Sequence, residues 1–316
     1  MKQSSTTVKE IIKEAKRGKM FILVDNKDRE NEGDLVIPAS KINAKKINFM
    51  AKHGRGLICL ALTQEKVKKL KLPLMSLINK SRTQTAFTVS IEAKKGISTG
   101  ISAYDRAKTI KVAIKNSSGS RDIVSPGHVF PLVSKNGGVL ERAGHTEASV
   151  DISKLAKLNP SAVICEVMNE DGTMARYNDL VPFSKKHNLK IAKIEDLISY
   201  RLKNEKFIKM ISNRKINIKR FGNYDLKVFK NKLDGEEHYA VTSKKFSYRK
   251  SPRVRVISTN IINTIFNFKK NIFKSTLSYL SKFNNFALII VKSPSHTKNS
   301  KENNKILRYY GVGAQI

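Results

Sequence analysis

Apolar positions Val8, Ile11, Ile12 and Ala15 recur at helical spacing behind a Ser/Thr-rich segment, so the chain opens on a short helix over residues 8–17. FILVD (21–25) is an unbroken apolar run and predicts a buried strand, the polar NKDRENEGD (26–34) a loop, and LVIPA (35–39) a second strand. The spacing then predicts a helix over 43–53 that stops at Gly54, a central strand in GLICLAL (56–62), a short helix at Gln64–Leu70 and a strand in AFTVSIEA (86–93). Ser102 caps AYDRAKTIKVAIK, whose Ala103, Ala107, Ile110 and Ile114 share an inward face. HVFPLV (128–133) reads as strand, Gly137 and Gly138 as a turn, 146–158 as helix, AVICEVM (162–168) as strand, and 178–187 and 195–209 as helices. This mixed alternation predicts an α+β domain layered helix, mixed sheet, helix. From about residue 212 the pattern changes to KRFGNYDLKVFKNKLDGEEHYAVTS, a hairpin turning at Asp234 and Gly235. A second, smaller α/β domain begins there, with no internal repeat and no low-complexity linker.

A length of 316 residues suits two domains with a core each. The net charge is +35, yet 40% hydrophobic residues, 14 Phe among them, make the chain too apolar for a disordered polycation. No apolar run approaches 18 residues, and Glu10 and Glu14 stand where a signal peptide needs an apolar stretch; a cytoplasmic protein with no membrane partner is expected. Cys59 and Cys165 lie inside apolar runs and read as buried thiols, which excludes a disulfide framework or a cysteine zinc site. The charge is uneven. Residues 1–200 hold 35 basic against 20 acidic residues, and 201–316 hold 26 against 6. Lys, Asn, Ile and Phe rise together in that tail, as a base-composition bias would produce; a nucleic-acid or other polyanion partner for the tail is the alternative.

The acids of the first part cluster. DRENEGDL packs Asp28, Glu30, Glu32 and Asp34 around Arg29, and crowded carboxylates repel unless a cation sits among them. Hard oxygen ligands of this kind suit Mg²⁺ or Mn²⁺; a solvated acidic turn is the plainer reading of such a cluster alone. RAGHTEASVD (142–151) brings Arg142, Gly144, His145, Thr146 and Glu147 to a helix start, where backbone N–H groups and a guanidinium can seat a phosphate and the imidazole can complete a coordination sphere. CEVMNEDGTMAR (165–176) sets Glu166 in an apolar strand, a setting suited to proton transfer. STGISAYDRAKT (98–109) adds hydroxyls, and SPGHVF (125–130) adds His128. Together these describe a divalent-metal site for a small phosphorylated, oxygen-rich substrate. There is no Walker loop, dinucleotide fingerprint or nucleophile elbow.

In order along residues 8–208, DRENEGDL, HGRGLICL, FTVSIEA with STGISAYDR, SPGHVFPL, GGVLERAGHTEASVDI and CEVMNEDGTMAR resemble the 3,4-dihydroxy-2-butanone 4-phosphate synthases, lyases of riboflavin biosynthesis. The resemblance implies conversion of D-ribulose 5-phosphate to L-3,4-dihydroxybutan-2-one 4-phosphate and formate, with two Mg²⁺ (or Mn²⁺) ions per active site, in a homodimer whose sites lie at the subunit interface. It implies Glu30 as a ligand of the metal pair and His145 as a ligand of one ion. Arg29, Glu30, Asp34, Thr99, Arg142, Ala143, Gly144, His145, Thr146 and Glu166 fall on substrate-binding positions, the 142–146 segment being suited to the phosphate. Glu166 and His128 fall on catalytic positions, as a proton shuttle and an orienting or proton-transfer group, with Glu32 a further one.

The domain expected over 209–316 has a fainter resemblance. FGNYDLKVFKNKLDGEEHYAV (221–241) and KILRYYGVGAQI (305–316) are similar to segments of GTP cyclohydrolase II. That enzyme holds zinc on three cysteines, and residues 209–316 contain none, so the tail is expected to be a degenerate, truncated relative without zinc.

Overall fold

The structure, a computed structural model, describes residues 6–76, 78–233, 235–259 and 272–292. It divides into two units, residues 1–201 and 202–316.

The first unit is built on a seven-stranded mixed sheet. Helix α1 (Val8–Arg17) begins at Thr7, which forms a capping box with Glu10, and ends at Gly18 in the left-handed conformation (φ 71°). β1 (Phe21–Val24) and β2 (Gly33–Pro38) form the antiparallel pair that carries the acidic loop between them. α2 (Ala44–Phe49) widens into a looser turn at Met50–Gly54, and Arg55 rather than Gly54 takes the left-handed end position (φ 70°). Gly54 is instead wedged in the interior, where a Cβ would lie 3.0 Å from Cys165 Sγ.

β3 (Cys59–Thr63), α3 (Gln64–Leu70), β4 (Ile91–Ala93), α4 (Ala103–Ile114), β5 (Ile123–Ser134), α5 (His145–Leu155), β6 (Ser161–Glu166), α6 (Tyr177–Lys186), β7 (Lys190–Lys193) and α7 (Ile194–Asn204) complete the unit. The strand order is β4-β5-β3-β6-β2-β1-β7, with β3/β5 and β1/β7 parallel and the other pairs antiparallel.

Alternation along these strands sorts their side chains into two layers. Ile22, Leu35, Ile37, Leu60, Leu62, Val163 and Cys165 join one core with Ile47 and Met50, and with Ala107, Ile110 and Ala113 of α4. The intervening Phe21, Leu23, Val36, Ala61, Ala162 and Ile164 are equally buried on the opposite face, which α5 covers. The result is the expected helix, mixed sheet, helix sandwich, and it fixes which face the polar strand residues occupy. Asp34 and Glu166 share the parity of Val36 and Ile164, so both carboxylates lie on the α5 side.

Three local expectations shift. Of residues 86–93 only Ile91–Ala93 forms a ladder; Pro131 of β5 has no N–H to give, and Thr88 reaches it by donating to its carbonyl at 3.0 Å. β7 was not anticipated, since Ile191 and Ala192 are the only apolar residues of its four. The helix expected over 195–209 ends at Asn204, because Phe207 is buried and its carbonyl accepts the Lys232 N–H at 2.9 Å. Residues 206 and 207 thereby belong with the second sheet, and the division falls after Arg201 where the sequence placed it after residue 208.

The second unit is a five-stranded sheet of β8 (Ile208–Ile218), β9 (Gly222–Asn231), β10 (Glu237–Thr242), β11 (Arg253–Thr259) and β12 (Phe286–Lys292), in the order β11-β12-β10-β9-β8. β9 and β10 are the expected hairpin, with Gly235 at φ 75°; Asp234 lies outside the described residues, as does 305–316. α8 (Ile272–Leu280) presses Leu277 and Leu280 onto Tyr224, Val241, Ile257, Phe286 and Leu288. Both cysteines are buried free thiols, and burial pushes each thiol up, away from reactivity. No described helix is long and apolar enough to cross a membrane.

One polar clamp inside the first unit is open to test. Asp151 of α5 accepts Val139 N–H at 2.9 Å and Arg201 Nη1 at 2.7 Å, and that same nitrogen also donates to Gly137 O. The Asp151 carboxylate is 3% exposed and its Arg201 partner 11%, so Asp151→Ala takes away the guanidinium's buried counter-charge and the acceptor of the Val139 amide. Urea unfolding should show a loss of about 3 kcal/mol or more, whereas a loss within the error of the titration would mean the pair is dispensable.

Candidate active site

β1 delivers Asp25 to the start of the acidic loop, and the loop is folded around that carboxylate. One Asp25 oxygen accepts the Glu32 N–H at 2.9 Å; the other accepts the Glu30 N–H at 3.1 Å and Arg29 Nη1 at 2.7 Å. The same Arg29 nitrogen lies 2.5 Å from Glu30 Oε2. Asn31 reverses the chain between the two glutamates with φ 56°, and Arg176 secures that reversal by donating to the carbonyls of Glu30 and Asn31, each at 2.7 Å. Arg176 also stands 3.7 Å from the Glu32 carboxylate.

From across the sheet face, α5 brings His145 to this loop at its first residue, after Gly144 as N-cap. His145 Nδ1 is 3.7 Å from Glu30 Oε2, and Nε2 is 3.8 Å from Asp34 Oδ1. Glu166 is the register partner of Asp34 across β2 and β6, and its Oε2 accepts the Leu57 N–H at 2.9 Å. Only a glycine at position 56 lets that backbone approach, since a Cβ there would be 2.6 Å from the Glu166 carboxylate.

The electrostatics follow from burying so many charges in one place. Burial opposes ionisation of Glu30, but His145 and Arg29 outweigh it and hold the carboxyl down at about 2. Burial pushes Asp34 up to about 7, helped by Glu166, Glu30 and Glu32 and opposed by His145. For His145 burial disfavours the cation, yet Asp34, Glu30 and Asp25 prevail and raise it to about 9. Desolvation and the charge of Glu30 also raise Glu32.

Does a divalent cation suit this cluster? One ligand atom from each of Asp25, Glu30 and His145 lies within 4.8 Å of the others. His145 Nε2 is buried with no hydrogen-bond partner among the described residues. Such an orphaned nitrogen is costly unless something binds it, and carboxylate with imidazole is a donor set that Mg²⁺ and Mn²⁺ accept. The residues present fit a metal.

The other anticipated residues are distributed differently. Arg142 is engaged by the chain itself: Nη1 meets Glu147 at 2.6 Å, and Nη2 donates to Thr83 O and Thr85 Oγ1, each at 2.9 Å. It thus ties residues 83–85 to the start of α5, beside Ala143, Gly144 and the buried Thr146. Thr99 is exposed in the loop before α4, where Ser98 and Gly100 are anchored to Asp105. His128 touches neither loop nor cluster; it is hydrogen-bonded to Glu92. A cavity of about 610 Å³, lined by Asp25, Asn26, Asp28, Asn31, Arg176 and Lys193 among others, shares Asp25 with the cluster and contains none of Glu30, Asp34, His145 or Glu166.

Sequence reasoning missed Asp25, Arg176 and Glu92. An Asp closing an otherwise apolar strand was the available signal for the first. A lone Glu inside SIEA was the signal for the third, the same signal that identified Glu166.

Fold and site together bring carboxylates, an imidazole and guanidinium groups into one cluster whose donor set fits a divalent cation. Residues 9–200 match the 3,4-dihydroxy-2-butanone 4-phosphate synthase family. A 3,4-dihydroxy-2-butanone 4-phosphate synthase of Photobacterium phosphoreum is 49% identical over 251 residues, 79% of this chain and 69% of that protein. Among solved structures, RibBX, a two-domain synthase of A. baumannii, superposes with a TM-score of 0.81 at 39% identity, covering 98% of this chain and 89% of that one. A synthase in complex with two magnesium ions gives 0.61 at 36% identity, over 63% of this chain and 98% of that one. The chain belongs to the 3,4-dihydroxy-2-butanone 4-phosphate synthase family of riboflavin biosynthesis and is an enzyme of that class.

Removing the orphaned imidazole tests the cluster directly. His145→Ala should weaken Mn²⁺ binding, followed by water-proton relaxation, at least about tenfold while leaving the far-UV circular dichroism unchanged. Unaltered affinity would place the metal elsewhere.

Proposed function

We propose that the chain converts D-ribulose 5-phosphate to L-3,4-dihydroxybutan-2-one 4-phosphate and formate. The observation that carries this reading is the buried Asp25, Glu30 and His145 cluster with its orphaned imidazole nitrogen, set beside the Asp34 and Glu166 carboxylates in a chain of this family. The reaction balances without an oxidant or second substrate, in keeping with a site made of carboxylates, an imidazole and guanidinium groups.

Glu30 and His145 hold the metal, with Asp25 close enough to assist, and the magnesium complex of a relative supports two ions per site. A bound divalent ion supplies Lewis acidity that polarises the sugar's carbonyl and hydroxyls. The protein's own groups handle protons. Asp34 stands 3.8 Å from His145 as a substrate-contacting carboxylate, and Glu166, its partner across the strand pair, is aimed by the Leu57 N–H and serves as the shuttle. Glu32 lies on the same loop with its carboxyl raised by burial, a further proton-transfer group. Arg29 is paired with Asp25 and Glu30, and Arg142 with Glu147, Thr83 and Thr85, so both act by shaping the loop and the α5 N-terminus, and the N–H groups of that helix start are left to meet the substrate's phosphate.

His128 and Thr99 do not reach the cluster of their own chain, and both are exposed. A homodimer with its active sites at the subunit interface accommodates this, each site taking His128 and Thr99 from the second copy. The second unit has no assigned chemistry: residues 209–316 lack the cysteines of a cyclohydrolase zinc site, and a polyanion partner would rest on their basic surplus alone.

Two measurements test the reading. Purified protein should release formate from ribulose 5-phosphate with Mg²⁺, lose that activity in EDTA and regain it on adding Mg²⁺. Glu30→Gln should lower kcat by about a hundredfold or more with the fold intact, and a fully active variant would remove Glu30 from the metal. GTP offered to the same preparation should yield no formate; stoichiometric zinc with GTP-dependent formate would restore the cyclohydrolase reading of the tail.

A further inference from the structure

His128 is presented by a built irregularity of the sheet. β4 and β5 pair as Ile91↔Val129 and then as Glu92↔Val124, so residues 125–128 of β5 are looped out opposite a single step of β4. Bulges of this kind re-aim side chains, commonly beside active sites. The loop is held down at Gly127, whose N–H donates to Ser90 Oγ at 3.1 Å and whose Cα lies so near the Ile91 backbone that any Cβ would collide with it.

The bulge carries the His128 imidazole onto the Glu92 carboxylate, with Nδ1 hydrogen-bonded to Oε1. A second glycine makes room. Gly100, at φ 89°, packs directly over the pair: a Cβ there would collide with the Glu92 carboxylate and lie 2.8 Å from His128 Nδ1. Gly100 is itself anchored through its N–H to Asp105 at 3.1 Å. Three separate segments of chain, around Glu92, Gly100 and Gly127, are thus shaped to one side-chain pair. The burial is asymmetric in a useful way: the Glu92 side chain is 16% exposed and lies behind the ring, while the His128 side chain is 44% exposed.

We propose that Glu92 is a positioning residue for His128, fixing the imidazole as the Nδ1–H tautomer so that Nε2 is free to exchange protons with the substrate. A carboxylate can only accept, so Nδ1 must donate to it, and in the neutral ring Nε2 is then the acceptor. Free imidazole would also spend much of its time in the other tautomer and other rotamers, and the Glu92 contact removes both losses before substrate arrives. This inference rests on the proposed role of His128 in catalysis.

The test uses the full chain. Ring-nitrogen NMR of wild-type protein should show neutral His128 as the Nδ1–H tautomer, and an Nε2–H ring would overturn the proposal without recourse to any variant. Glu92→Leu should shift that signature toward Nε2–H and lower kcat at least about tenfold with KM within about twofold. Glu92→Gln, which keeps an acceptor for Nδ1, should recover the Nδ1–H signature and most of kcat. If His128→Gln is inactive but Glu92→Leu turns over normally, the positioning role falls and the catalytic histidine stands. If His128→Gln is itself fully active, the reading of His128 falls, and the role of Glu92 falls with it.

Discussion

The Asp25 carboxylate accepts two loop N–H groups and a guanidinium, and the geometry of the Asp25, Glu30 and His145 cluster descends from those three bonds. A loop bearing four further acids in seven residues repels itself, and folding it needs positive partial charge at its centre. Asp25 reverses that problem by being the acid on which the loop's donors converge. Arg29 then neutralises Asp25 and Glu30 together, and Arg176 holds the outer turn by its carbonyls. Glu30 and Asp34 in turn face the His145 imidazole, at 3.7 and 3.8 Å.

Much of this was legible in the sequence because each chemical segment is local. DRENEGD, AGHTE and CEVMNED announce their residue types without help from the fold. Strand alternation then settles whether the segments meet: Asp34 shares the parity of Val36, and Glu166 that of Ile164, so burial of the apolar neighbours forces both carboxylates to the α5 side. The features that escaped depend on contacts between distant positions. Arg142 carries the charge expected at a phosphate seat, but Thr83, Thr85 and Glu147 occupy its nitrogens, and nothing near Arg142 in sequence predicts that. Likewise β7 is too short and too lysine-rich to show a pattern, and exists because β1 offers it an edge. β8 was lost because its eleven residues are mostly exposed and alternate weakly; its pairing with β9, rather than its own hydrophobicity, makes it a strand.

Three glycines lie against charged side chains of the cluster, of the α5 start and of the His128–Glu92 pair. At Gly56 and Gly100 an added Cβ would run into Glu166 and Glu92 respectively, and at Gly144 into the Arg142 and Glu147 pair. Each lies where backbone must pass against a charged side chain that has to keep one orientation. Flexibility is not their common property, since only Gly100 of the three has a positive φ. Their common property is the absence of a side chain where a carboxylate already fills the space, which is why the motifs HGRG, STG and RAGH place glycine next to chemistry.

The chain's charge presents an apparent contradiction: a molecule of net +35 builds a concentrated acidic site. Burial resolves it. The basic surplus is carried largely by exposed lysines, screened within about 10 Å at ordinary salt, whereas Asp25, Asp34 and the Glu30 cluster act in a low-dielectric interior where a few ångströms separate them from His145. The surface charge fades within a Debye length while the buried carboxylates act on groups a few ångströms away in a low dielectric, and the two do not cancel because they operate in different media.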